Sequence, residues 1–164
     1  MKTTKKGFTL IELIVVIAII GVLAMILVPS MLGYVRKSKV SSANSAAATV
    51  QKAMNTSLIE LDEENKLEDE GLIAAEVSND DCPEALSDKL KVYLDDFDKI
   101  TFQARVQSGI CDAVAASSDG IYPGTYPSGV VTADNVKETY QNDGTADVAA
   151  AYAAVCDKVD EANG

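Results

Sequence analysis

The 164-residue chain has no histidine and no tryptophan. Without an imidazole it lacks the commonest general base, and every triad or metal site that needs histidine is excluded. Positive charge is scarce too: 14 Lys and Arg stand against 25 Asp and Glu, a formal net charge of −11. Such a surface repels phosphate backbones, so nucleic acid is not expected as a ligand of the soluble part. Cysteine is limited to Cys82, Cys111 and Cys156, none in the C-x-x-C spacing of a structural zinc site, and no metal is expected. No Gly-rich phosphate loop, nucleophile elbow or dinucleotide fingerprint is present, so neither a cofactor nor a catalytic residue is nominated. The acidic clusters at 62–64, 68–70, 80–81 and 95–98 lack the alternating ligands and glycine of a calcium loop, and they read as solvated surface. The expectation is a protein that is not an enzyme.

What is present is distributed unevenly. Between residues 8 and 32 only Thr9, Glu12 and Ser30 are polar, and residues 13–28 form an unbroken apolar run. Beyond Tyr34 the chain turns polar and holds 24 of its 25 acidic residues. An oily stem therefore precedes a soluble head. At about 1.5 Å per helical residue, residues 8–32 reach roughly 37 Å, enough for one crossing of a bilayer core of about 30 Å. Lys2, Lys5 and Lys6 make a basic leader in front of it, yet no Ala-x-Ala cleavage pattern follows the run, so the run is expected to stay in the mature protein. Orientation is not decided by charge, since Arg36, Lys37 and Lys39 flank the other end.

Glu12 is the anomaly in the stem. A carboxylate near a membrane interior costs about 2.5–3.5 kcal/mol on insertion scales and demands a partner. Two partners suit it. Thr9 with Glu12 three residues on forms a capping box at the positive end of the helix dipole. Alternatively, a cut after Gly7 exposes the amine of Phe8, a cation matched to Glu12 of a neighbouring copy.

The run Lys5-Lys6-Gly7-Phe8-Thr9-Leu10-Ile11-Glu12-Leu13, with the apolar residues behind it, closely resembles the processing site of type IV prepilins and pseudopilins. The resemblance covers about the first third of the chain and includes Gly21 and Pro29. It implies cleavage between Gly7 and Phe8 by a prepilin peptidase, methylation of the Phe8 amine, and subunit addition guided by Glu12. It also implies pilus assembly machinery as a partner, the membrane before assembly, and copies of the chain itself in a helical homopolymer at the cell surface. A pseudopilin of a type II secretion or DNA-uptake system uses the same stem. A membrane-anchored carbohydrate-binding adhesin is the reading from another class. Gly21 and Pro29 weaken the helix between them, which fits a stretch that unwinds or bends on assembly and equally a small packing residue followed by a mild kink.

The fold class expected is α+β, a pilin-like long amino-terminal helical stem with a small globular head of short helices and a small antiparallel sheet. Its divisions are a leader at 1–7, a membrane or filament-core helix at 8–33, an amphipathic continuation at 34–65 and an acidic head at 66–164. In the continuation, Val40, Ala43, Ala47, Val50, Met54 and Leu61 recur at helical spacing, with Ser57 filling one expected apolar place. Residues 66–81 read as a loop with a short turn at 72–77. Pro83 and Glu84 open an amphipathic helix with Asp81 as its cap. Alternation through Ile100, Phe102, Ala104 and Val106 predicts a strand, and Gly109 a turn into a second strand at 110–115, although a helix also fits this stretch. Residues 119–129 read as loop, 130–131 as a short strand, 132–140 as a short helix, and Thr145 as the cap of a final helix.

Two further sets of residues are singled out in the head. Tyr122 and Tyr126 offer apolar faces on which sugar rings can stack, a candidate carbohydrate surface. The competing account has them pin their loop to the head. Three thiols permit one disulfide in an exported head. Pairing Cys111 with Cys156 resembles the pilin habit of tying down the carboxy-terminal region. Cys82 with Cys111 is the alternative, and a fully reduced set stays open.

Overall fold

The computed structural model describes residues 7–164. The expected leader at 1–7 thus lies outside the described residues except for Gly7. The chain forms two compact units, Met1–Arg36 and Lys37–Gly164. Helix α1 (Leu10–Glu63) contributes to both and continues through Pro29 without an assigned break.

In the first unit the apolar side chains from Phe8 to Val35 are exposed, and none of its most apolar window is buried. Among the described residues this is the one helix long and apolar enough to cross a membrane. Gly21 has open space where a Cβ would stand, so no neighbour within the chain requires a glycine there.

In the second unit α1 behaves differently. Val40, Ala43, Ala47, Val50, Ala53, Met54, Ser57, Leu58 and Leu61 are buried, the expected stripe with Ser57 inside it. From Ala47 to Leu61 they line one face of a four-stranded antiparallel sheet ordered β1 (Ala74–Ser78), β2 (Thr101–Gln107), β3 (Ile110–Ser117), β4 (Gly124–Tyr126), while Val40 packs with Val131, Val136 and Tyr140. Phe102, Ala104, Val106, Val114 and Ala116 point into this core and are joined by Leu86 and Leu90 of α2 (Glu84–Tyr93). The alternate residues face the other way. Ala113 and Ala115 meet Ala151, Val155 and Val159 of α4 (Val148–Asn163), and the small alanines allow the helix to approach closely.

Several local expectations are corrected. The turn expected at 72–77 is strand β1, because Val77 finds Ala104 as its partner and buries against the α1 core. A short, charged stretch shows no clear alternation until a neighbouring strand supplies the context. Residues 124–126, read as loop, form β4 at the sheet edge, while 130–131 make no strand. Helix α2 begins after Pro83 with no side-chain cap, so Asp81 does not serve. The final helix is capped by Asp147, whose carboxylate accepts the Ala150 N–H at 2.9 Å. Thr145 instead lies in β6 (Thr145–Ala146), the partner of β5 (Gln141–Asn142). The short helix expected at 132–140 is α3 (Val136–Thr139).

Gly124 explains how tightly α1 and the sheet join. A Cβ built there would lie 2.0 Å from the Ala43 carbonyl carbon and 2.2 Å from the Asn44 nitrogen, so backbone meets backbone at this crossing. Asn44 fastens it by accepting the Thr125 N–H on Oδ1 at 2.8 Å. A second fastening is a β-bulge. Arg105 pairs with Ala113 but Val106 pairs with Cys111, leaving Asp112 as the extra residue. The irregularity frees the backbone of Cys111, and α1 takes it up. The Cys111 N–H donates to Asn55 Oδ1 at 2.8 Å, and its carbonyl accepts from Gln51 and Asn55.

Candidate functional site

The amino-terminal turn of α1 is built around Thr9 and Glu12. Thr9 precedes the helix and Glu12 is its third residue, the spacing of a capping box. Glu12 Oε2 accepts the Thr9 N–H at 2.8 Å and the Thr9 hydroxyl at 2.7 Å, while the Glu12 N–H approaches Thr9 Oγ1 at 3.3 Å. Both accepted bonds converge on one oxygen. Gly7 and Phe8 precede the helix and are exposed, Phe8 by 85%. Pro29 lies inside the helix, and Ser30 Oγ donates to the Leu27 carbonyl at 2.8 Å just beside it. The structure thus joins Thr9 and Glu12 in one turn, leaves Gly7 and Phe8 exposed before it, and places Gly21 and Pro29 along the exposed helix.

The expected tyrosine pair is divided. Tyr122 is half-buried against the core of Val131, Val136 and Tyr140, as a loop-pinning residue would be. Tyr126 is exposed.

The disulfide expectation concerns Cys111 with Cys156, or Cys82 with Cys111. All three cysteines are free thiols. Cys111 faces the α1 core, whereas Cys156 packs beside Ala113, Val155 and Val159 on the α4 face, so the sheet stands between them. The alternative partner Cys82 follows β1 at the Ser78 end, while Cys111 pairs with Val106 at the end that meets Ala75. Burial pushes the Cys82 thiol up to about 11 and Cys111 up to about 12, and it raises Cys156 as well. Thiols held protonated are poor nucleophiles.

Two polar clusters were not legible in the sequence. Arg105 makes a two-pronged contact with Asp112, Nε to Oδ1 at 3.1 Å and Nη2 to Oδ2 at 3.0 Å, and reaches Asp160 of α4 at 2.9 Å. The bond to Asp112 raises the guanidinium above its ordinary value. At the end of α1, Lys89 of α2 bridges Glu60 at 3.0 Å and Glu64 at 2.7 Å, and Tyr93 also donates to Glu60. Lys89, with Lys66 behind it, holds the Glu64 carboxyl down at about 2. These contacts answer the negative charge that the sequence places at the unfavourable end of the helix dipole. Neither cluster resembles a reaction centre, and their chemistry is that of fastening.

The first unit thus presents an exposed apolar helix, long and apolar enough to cross a membrane, led by a capped carboxylate. Comparison with known proteins places it further. The family model described as the prokaryotic N-terminal methylation motif matches residues 2–28. The chain is 45% identical over 60 residues to a type IV major fimbrial protein FimA of Dichelobacter nodosus, covering 37% of this chain and 38% of that one. It is 41% identical over 81 residues to the type IV major alpha-pilin of Moraxella bovis, covering 45% and 51% of the two chains. A fimbrial protein of Pseudomonas aeruginosa is 41% identical over 56 residues, 34% of this chain and 36% of its own. The chain spans about two fifths of the length of the fimbrial relatives from Dichelobacter. No solved structure matches significantly. The amino-terminal part of the chain is similar to that of these fimbrial proteins, and the long helix followed by a small antiparallel sheet is consistent with a pilin-like α+β fold.

Proposed function

We propose that the protein is a structural subunit of a type IV pilus. The observation that carries this is the apolar helix of the first unit, exposed along its length and led by one capped carboxylate. Such a surface is stable in lipid or against other surfaces of its own kind, and transfer from one to the other carries little penalty. In this reading the precursor crosses the cytoplasmic membrane once with its head outside. A prepilin peptidase hydrolyses the bond between Gly7 and Phe8, leaving a carboxylate on Gly7 and an amine on Phe8 that is then methylated. Glu12 stays capped by Thr9 through Oε2 while Oε1 receives the Phe8 ammonium of an adjacent copy. The two accounts of Glu12 therefore coexist. Gly21 and Pro29 lower the cost of local helix adjustment in the polymer.

The partners are other copies, the membrane before assembly, the peptidase and the assembly machinery, and the product is a cell-surface fibre serving adhesion or motility. A pseudopilin of a secretion or DNA-uptake apparatus would use the same stem. The fimbrial names of the relatives favour the pilus subunit. Intact-mass measurement and amino-terminal sequencing of protein from sheared surface fibres test the reading. The expected terminus is methylated Phe8. A mature protein that keeps residues 1–7, or cells that build no fibres from it, overturns the proposal.

A further inference from the structure

The second unit carries a groove of about 490 Å³ between α1 and the chain that leaves β4, with Ser41, Asn44, Ser45 and Ala48 on one wall and residues 125–128 on the other. Its volume falls within the range of small-molecule sites. Its lack of charge sets it apart. From Lys37 onward the chain holds 24 acidic residues against 10 basic ones, yet none of them lines this groove. A cation or an anion would therefore find no counter-charge in the walls, while a neutral polar molecule would give up no ion pair on entering.

The walls offer partners for hydroxyls. Asn44 spends Oδ1 on the Thr125 N–H, which fixes its amide so that Nδ2 remains to donate. Ser45 Oγ donates to the Ser41 carbonyl at 3.0 Å and keeps lone pairs to accept. Tyr126, opposite Val114 in the sheet register, projects on the α1 side and is 36% exposed. An aromatic face with hydroxyl and amide groups around it suits a sugar ring, which has a C–H face and a rim of hydroxyls. The groove is formed in advance, because the backbone contact at Gly124 and the Asn44 bond hold β4 against α1. A rigid site loses less on ordering when a ligand arrives.

We propose that this groove binds the ring of a neutral sugar, with Tyr126 against its C–H face and Asn44 and Ser45 on its hydroxyls. The inference rests on the adhesive part of the function proposed above and not on polymerisation. The test uses the full chain dispersed in a zwitterionic detergent without a sugar headgroup, so fibre formation plays no part. Methyl glycosides of glucose, galactose, mannose and N-acetylglucosamine are titrated by saturation-transfer NMR, with sialic acid as the charged comparison. The expected result is saturable binding of at least one neutral glycoside, with Kd on the order of 1 mM. Tyr126→Ala should weaken it by about tenfold or more, and Tyr126→Phe should hold it within about twofold, since the ring supplies the contact. Ala48→Leu fills the groove from the opposite wall and should cause the same loss with Tyr126 intact. Absence of saturable binding by every neutral glycoside overturns the proposal. So does binding that survives both Tyr126→Ala and Ala48→Leu, or binding confined to sialic acid. Fibre yield of the same variants, scored separately by electron microscopy, reports on the filament reading alone.

Discussion

The two units obey opposite rules of burial. In residues 10–36 the leucines, isoleucines and valines are exposed, whereas from Lys37 onward leucines and valines such as Leu58, Leu86 and Val114 are buried in a core. Both stretches share one helix, α1, so helix formation alone does not set the difference. Sequence pattern does. The first stretch is apolar all round, which leaves no polar face to turn toward water. The second confines its apolar residues to one stripe, which its own sheet covers. The head covers its own apolar stripe, and in the proposed function the exposed stem takes lipid or another copy as its partner.

The sharpest way to break this comparison is to alter each unit and read both properties. Glu12→Ala should leave membrane insertion and the thermal unfolding of the head unchanged while lowering fibre yield by more than about tenfold, since the proposed charge pair with the Phe8 ammonium of the next copy is removed. Fibres at wild-type yield would remove Glu12 from its proposed role. Gly124→Val should do the reverse in order of events. Its Cβ would stand 2.0 Å from the Ala43 carbonyl carbon, so β4 and α1 must separate. A loss of about 3 kcal/mol or more in head stability is expected, with membrane insertion intact. Chemical denaturation of the detergent-dispersed protein checks it. An unchanged midpoint would mean that the crossing is looser than these distances.

Asn55→Ala tests a smaller joint. It leaves the Cys111 N–H without its acceptor and removes one of two donors to the Cys111 carbonyl, with Gln51 still in place. A cost of about 1–3 kcal/mol follows from leaving a buried backbone donor unmet. Asn55→Asp keeps an acceptor for the N–H and should recover part of that loss. Equal destabilisation by the two variants would show that the bond to the N–H is not what matters.

How much of this was legible beforehand follows the same division. The stem could be read almost entirely, because its signals are local: an apolar run, a Gly-Phe junction, and Thr9 three residues before Glu12. The α1 stripe and the hairpin of β2 and β3 were also local patterns, of periods 3.6 and 2. What escaped depends on distant partners. Strand β1 exists because β2 is beside it, and Gly124 matters because Ala43 lies against it, 81 residues earlier. The positions of the cysteines depend on distant partners too. Strand residues alternate between faces, and the register with its bulge turns Cys111 toward the α1 core while Cys156 packs on the α4 side. Arg105 with Asp112 depends on the same bulge, which no composition signal announces.

The smallest effect concerns the clasp of Lys89 on the end of α1. Glu60 is held below its usual range chiefly by Tyr93 and then by Lys89, and Glu64 is held at about 2 by Lys89 and then by Lys66. A carboxyl lowered in the folded state stabilises above its unfolded value, near 4.5, and that contribution fades as pH falls through the folded value. Lys89→Ala should therefore lower Tm slightly at pH 7, and the gap from the wild type should narrow from about pH 4.5 downward and close near pH 2. Because these carboxylates are exposed, salt should shrink the gap at pH 7 as well. Thermal melts across pH at low and high ionic strength check both trends. A gap independent of pH would show that Lys89 acts through its packed aliphatic stem, making this clasp an extension of the apolar stripe rather than an electrostatic answer to the helix end.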